Sequence, residues 1–109
     1  MNAPSKNGFH KMTLMERIER GAEAIGRRLV ATREALSLKP SQFADAAKIA
    51  RNTLSQWESG KQRPGLREAI KLADAHGLTL DWIFLGDASG LPLRIASKLA
   101  APLLSLKVN

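Results

Sequence analysis

Residues 39–64, KPSQFADAAKIARNTLSQWESGKQRP, constrain the fold of this chain more than any other stretch. Pro40 fits the first turn of a helix, where its missing N–H is harmless. The apolar positions Ala44 and Ala47, then Leu54 and Trp57, can face inward from two short helices joined by a tight turn. Arg51, Asn52, Ser55 and Gln56 then face outward from the second of these helices. Gly60 is suited to a left-handed cap behind it, and a basic loop ends at Pro64.

The outward residues have a particular chemistry. The fork of Arg matches the O6/N7 edge of guanine, and Asn or Gln matches the N6/N7 edge of adenine. A helix carrying Arg51, Asn52 and Gln56, held by a second helix across a tight turn, is the arrangement by which proteins lay a helix in the DNA major groove. Composition agrees. The 109 residues include 17 Lys and Arg against 10 Asp and Glu, a net charge of +7 that favours polyanionic partners. Six of the basic residues, Lys39, Lys48, Arg51, Lys61, Arg63 and Arg67, lie in or beside this segment.

The rest of the chain reads as helices around one modest core. Residues 1–21 read as an arm, MNAPSKNGFHKM, and a short helix opened by a Thr13–Glu16 capping box. A main helix over 22–36 carries Ile25, Leu29, Thr32 and Leu36 on one stripe, although Gly26 weakens it. A fourth helix, starting at Pro64, shows Leu66, Ala69, Ile70 and Ala73 as its apolar face and ends at His76-Gly77. Thr79 caps a short fifth helix over 80–85, ended by Gly86. Strand-like alternation is absent. Residues 87–109 read as an apolar extension, with one more helix over 94–101 stopped by Pro102.

Several function classes are disfavoured. Without cysteine there are no disulfides, thiol nucleophiles or Cys-based zinc sites. His10 and His76 lack partners at metal-ligand spacing, Ser41 and Ser55 lack a triad, and no glycine-rich phosphate loop follows a strand. No catalytic residue, metal or cofactor is therefore expected. No apolar run reaches the ~20 residues that span a bilayer. A basic membrane-surface helix over 12–28 is opposed by Glu16, Glu19 and Glu23. No export signal is visible, and a cytoplasmic location is expected.

With these residues in place, the chain resembles the Cro/C1-type (XRE) helix-turn-helix family of phage and bacterial regulators. The resemblance covers 25–87 and rests on IGRRLVATREAL, RNTLSQWESGKQRP and LREAIKLADAHGLTLDWIFLGD together. It implies an all-α, five-helix, lambda-repressor-like bundle over 22–86 with short extensions at both ends. It also implies binding of double-stranded DNA with paired half-sites as a homodimer. By the family pattern, Arg51, Asn52 and Gln56 read bases, and Thr53 and Ser55 flank them. Ser41 and Gln42 approach a phosphate through N–H groups, and Lys61 and Arg63 contact phosphates. Arg33 and Glu58 form a structural ion pair.

Three positions depart from that pattern. Pro40 stands where many members carry Gln. Lys48 occupies the turn position where Gly is common, and Ala50 replaces the usual Ser or Thr cap. Lys48 also offers a further phosphate contact. The expected dimer surface is the apolar C-terminal segment with Trp82: Leu91, Leu93, Ile95, Leu99, Leu103, Leu104 and Leu106, followed by Val108, with the N-terminal helix around Met15 and Ile18 as the rival surface. The same tail suits a second reading, an antitoxin or anti-activator that binds a protein partner on the same fold.

Overall fold

The computed structural model describes residues 20–108, with side chains described for 20–100. The expected arm, the Thr13–Glu16 capping box and the rival surface around Met15 and Ile18 lie outside these residues. The described chain is all-helical: α1 (Ala22–Ala35), α2 (Pro40–Ala46), α3 (Arg51–Glu58), α4 (Leu66–His76), a π-helical turn α5 (Asp81–Leu85) and α6 (Leu93–Val108). The core draws on every element: Ile25 and Leu29 of α1, Phe43 and Ala44 of α2, Leu54 and Trp57 of α3, Leu72 and Ala73 of α4, Ile83 of α5 and Ile95 of α6.

The helix-breaking glycine of α1 is a packing device. A Cβ on Gly26 would lie 2.5 Å from the Trp57 carbonyl oxygen and 2.7 Å from that of Glu58. The C-terminal end of α3 therefore lies directly on the backbone of α1. Beside that contact Arg33 Nε donates to Glu58 Oε2 at 2.9 Å, and both side chains are largely buried. Arg33 also donates to the Leu38 carbonyl at 3.2 Å. One side chain thus joins the end of α1 to the end of α3.

The first three helices end in the same way. At each, two reversed backbone bonds form around a left-handed residue, the Schellman arrangement that satisfies the last carbonyls of a helix. After α1 the bonds are Leu38 N–H to Arg33 O and Ser37 N–H to Glu34 O. After α2 they are Ile49 N–H to Ala44 O and Lys48 N–H to Asp45 O, and after α3 Lys61 N–H to Gln56 O and Gly60 N–H to Trp57 O. Gly77 closes α4 in the left-handed region, with Leu78 N–H on Ala73 O. Glycine serves after α3 and α4, whereas Ser37 (φ 60°) and Lys48 (φ 57°) carry a Cβ into the left-handed region. The turn between α2 and α3 thus has the geometry that suits glycine, and Lys48 is strained there by about 1 kcal/mol.

Three expectations are corrected. Leu66 and Ile70 of α4 face solvent, at 61% and 41% exposure, and Ala69, Leu72 and Ala73 are the buried positions. The helix starts at Leu66, not at Pro64, and the covered stripe of Ala69, Leu72 and Ala73 leaves Leu66 and Ile70 on its flank. Pro102 does not stop the last helix. Its fixed φ is helical, so α6 continues to Val108 at the expense of one backbone bond. Residues 87–109 are not wholly an appendage either. Leu91 and Ile95 are 8% and 0% exposed and complete the core, so neither is available to a second chain.

Two substitutions test this packing by urea denaturation. Helix propensity alone would make Gly26→Ala stabilising by about 1 kcal/mol. The contact with the α3 carbonyls reverses the sign, and a loss of about 1–3 kcal/mol is expected. Lys48→Gly removes left-handed strain and is expected to stabilise the protein by about 1 kcal/mol.

Candidate nucleic-acid interface

The outer surface of α3 carries the polar groups anticipated from its sequence. Arg51, Asn52, Ser55 and Gln56 are exposed and Thr53 is half-buried, while Leu54 and Trp57 close the opposite side at 1% and 2% exposure. Ala50 is the N-cap of α3 and, having no polar side chain, makes no cap hydrogen bond. The free amides at the start of α3 consequently have no side-chain acceptor from the cap position.

The flanks of this surface are arranged differently from one another. At the start of α2 the Lys39 N–H donates to Gln42 Oε1 at 2.8 Å, so the Gln42 side chain caps its own helix. The N–H groups of Ser41 and Gln42 belong to the first turn, which lacks intrahelical acceptors. Beyond α3 the loop is tied down through one carbonyl: Gln56 O accepts from Lys61 N–H at 3.0 Å, Gln62 N–H at 3.3 Å and Ser59 Oγ at 3.2 Å. Lys61 is exposed in this loop. Arg63 is exposed as well, and its guanidinium lies over the Phe84 ring at 5.7 Å, which holds it against α5.

Arg51 is not isolated. Its Nη2 donates to Asp45 Oδ2 at 2.7 Å and its Nε to Asp45 Oδ1 at 3.2 Å, a two-pronged pair across the α2–α3 turn. Hydrogen bonding from Arg51 holds the Asp45 carboxyl below the ordinary carboxylate range, and the reciprocal bond raises the Arg51 guanidinium above its ordinary value. Sequence reasoning passed over Asp45. The available signal was a carboxylate six residues before an arginine with a tight turn between them.

Thr32 is buried on the α1 stripe, as its spacing predicts, whereas Arg28 beside it carries no such signal. Arg28 is buried on the stripe of Ile25 and Leu29, and donates from Nε to Trp82 O at 2.9 Å and from Nη2 to Ile83 O at 3.0 Å. A cation is thereby placed on carbonyls of the short α5 turn. Thr32 Oγ1 donates to Arg28 O at 2.6 Å and accepts from Trp82 Nε1 at 2.9 Å. Trp82 is half-buried by these bonds. Thr79 Oγ1 accepts from Trp82 N–H at 3.0 Å and so caps α5. His76 packs its ring on Phe43 at 4.4 Å with Nε2 2.9 Å from Phe43 O, which joins α4 to α2. Of the remaining C-terminal positions, Leu93 is 81% exposed and Leu99 is half-buried against the core. The side chains of Leu103, Leu104 and Leu106 lie outside the described ones.

Among the described residues, no three metal-ligating side chains gather at one place, and no helix is long and apolar enough to cross a membrane.

The Asp45–Arg51 pair has a direct readout. The folded-state value of Asp45 is depressed, so its contribution to stability is present above the unfolded-state value. It is lost as pH falls through the folded one. A carboxyl-resolved NMR titration is expected to place the Asp45 midpoint below that of an ordinary aspartate. In Arg51→Ala the midpoint should return to the ordinary value.

A family model described as helix-turn-helix matches residues 29–83, from the second half of α1 into α5. No curated protein and no solved structure matches the chain. The match spans half of the sequence and contains all of α2, α3 and α4. The chain therefore belongs to the Cro/C1-type helix-turn-helix family, whose domain makes it a DNA-binding transcription regulator.

Proposed function

We propose that the protein is a sequence-specific repressor that reads the major groove with α3 as a homodimer. The exposed row of Arg51, Asn52, Ser55 and Gln56 opposite the buried Leu54 and Trp57 supports this reading most strongly. Arg51, Asn52 and Gln56 read base edges, with Thr53 and Ser55 beside them. Lys48 and Lys61 bracket α3 with positive charge for the phosphates of one groove. Arg63 reaches the backbone from its seat on Phe84, and the first-turn amides of Ser41 and Gln42 serve the opposite strand. Repression follows by occlusion of the DNA that α3 occupies.

A single helix of this size covers only a few base pairs, so two copies on paired half-sites are needed for a long recognition sequence. The surface that suits this pairing lies at the C-terminal side of the domain. Leu93 is largely exposed, and a shallow apolar groove lined by Trp82, Ala88, Ala96, Leu99 and Ala100 runs beside it. Leu103, Leu104 and Leu106 continue the same helix.

Selection of bound sequences from random double-stranded DNA tests these claims together. The recovered sites are expected to contain two inverted half-sites with centres about 34 Å apart, or one helical turn. Arg51→Ala and Gln56→Ala should each lose about 1–3 kcal/mol of discrimination at one base pair per half-site. Lys61→Ala should weaken all sequences alike and make affinity less dependent on salt. A site without inverted repeats would argue against the homodimer, and an Arg51→Ala protein with unchanged preferences would argue against the placement of α3.

A further inference from the structure

Among the described residues, Asp45 is the acidic side chain paired with Arg51 at the start of the proposed reading helix. Its position is unexpected on a surface that meets phosphates, because a carboxylate there opposes binding of a polyanion. Nor is it needed to shape the turn. The α2–α3 turn is already closed by the backbone bonds of Lys48 and Ile49, and α3 is anchored from its far end by Gly26, Trp57 and the Arg33–Glu58 pair. The side chains of Arg51 and Asp45 are 68% and 55% exposed, and solvent-exposed pairs of this kind add little to folding.

The geometry of the pair suggests what it does instead. Asp45 occupies Nε–H and one N–H of Nη2 on the guanidinium of Arg51. A guanidinium has five N–H donors in a rigid plane. Three remain: one on Nη1 and one on Nη2 point forward as the end edge of the fork, and the second on Nη1 faces the opposite side. The two donors of the end edge have the spacing that pairs with O6 and N7 of guanine. The contact also holds a long, flexible side chain in a single orientation before DNA arrives, so less rotational freedom is lost on binding. It occupies donors through which an unrestrained arginine would reach a phosphate.

The geometry points to Asp45 as a positioning residue that sets base specificity: it holds the side edge of Arg51 so that the end edge meets a guanine and not the DNA backbone. This inference rests on the proposed base-reading role of Arg51. It assigns a share of specificity to a residue of α2 that itself touches no base.

The test compares full-length Asp45→Asn, Asp45→Glu, Arg51→Ala and the Asp45→Asn/Arg51→Ala double variant. The readouts are selection from random double-stranded DNA, affinity for a non-specific duplex as a function of salt, and thermal melting. Asp45→Asn is expected to flatten the base preference at the same base pair that Arg51→Ala flattens, by about tenfold in discrimination. Its affinity for non-specific DNA should rise, with the slope of log affinity against log salt steeper by about 0.9 as the released arginine takes up a phosphate. Asp45→Glu should recover part of the preference. On the Arg51→Ala background, Asp45→Asn should leave the profile at that position unchanged.

Three results would overturn the inference. If Asp45→Asn keeps the wild-type base profile and binds every sequence more weakly, with a matching fall in melting temperature, Asp45 serves only the uncapped start of α3. If it keeps the profile and binds every sequence more tightly, Asp45 is merely a repulsive charge. If Arg51→Ala itself leaves the profile intact, the base-reading role falls and the inference falls with it. A change in Arg51→Ala without one in Asp45→Asn removes the inference alone.

Discussion

The close approach of α1 to the end of α3 is the contact on which the rest of the molecule depends. Gly26 lets the Trp57 and Glu58 carbonyls approach to a distance that no other residue permits. Trp57 is then buried at 2% exposure, and Glu58 meets Arg33 at 2.9 Å where water is largely excluded. A helix of eight residues has little intrinsic stability, and packing must supply it. Because α3 is fixed by one end and one face, its remaining face is left to solvent in a defined direction. The polar row from Arg51 to Gln56 is a consequence of that anchoring.

A second set of contacts holds the opposite side of α1 to the C-terminal half of the chain. Buried Arg28 donates to two carbonyls of α5, and Thr32 relays between Arg28 and the Trp82 indole. The next residue pair outward, Phe84 beneath Arg63, carries this support to the loop behind α3. Ile95 of α6 seals the same region of the core. Thus α1 sits between the two functional halves: α3 on one side and, on the other, the surface proposed for pairing with a second copy.

Much of this was legible in the sequence because the strongest signals are local. Helical spacing of Ile25, Leu29 and Thr32, the inward Leu54 and Trp57, and the glycines 60, 77 and 86 after helices all follow from short-range rules. What failed to show is non-local or depends on a rotation of one residue. Gly26 looks like a weakness in a helix until a second backbone lies against it. Nothing local marks Arg28, because its two carbonyl acceptors arrive from 54 and 55 residues further on. The α4 face was misread because Leu66 and Ile70 are apolar yet exposed, and pattern alone cannot tell which apolar stripe is covered. In the candidate site, the outward Arg51, Asn52 and Gln56 are apparent from composition and spacing, whereas Asp45 becomes informative only when the turn brings it onto Arg51.

The central claim is that anchoring by α1 presents the outer face of α3 to the floor of the major groove. Chemical interference on a selected binding site tests it most directly. Methylation of guanine N7, which projects into the major groove, should abolish binding at the guanines contacted in each half-site, and methylation of adenine N3 in the minor groove should leave binding there intact. Interference confined to adenine N3, with guanine N7 methylation tolerated throughout the site, would contradict the account.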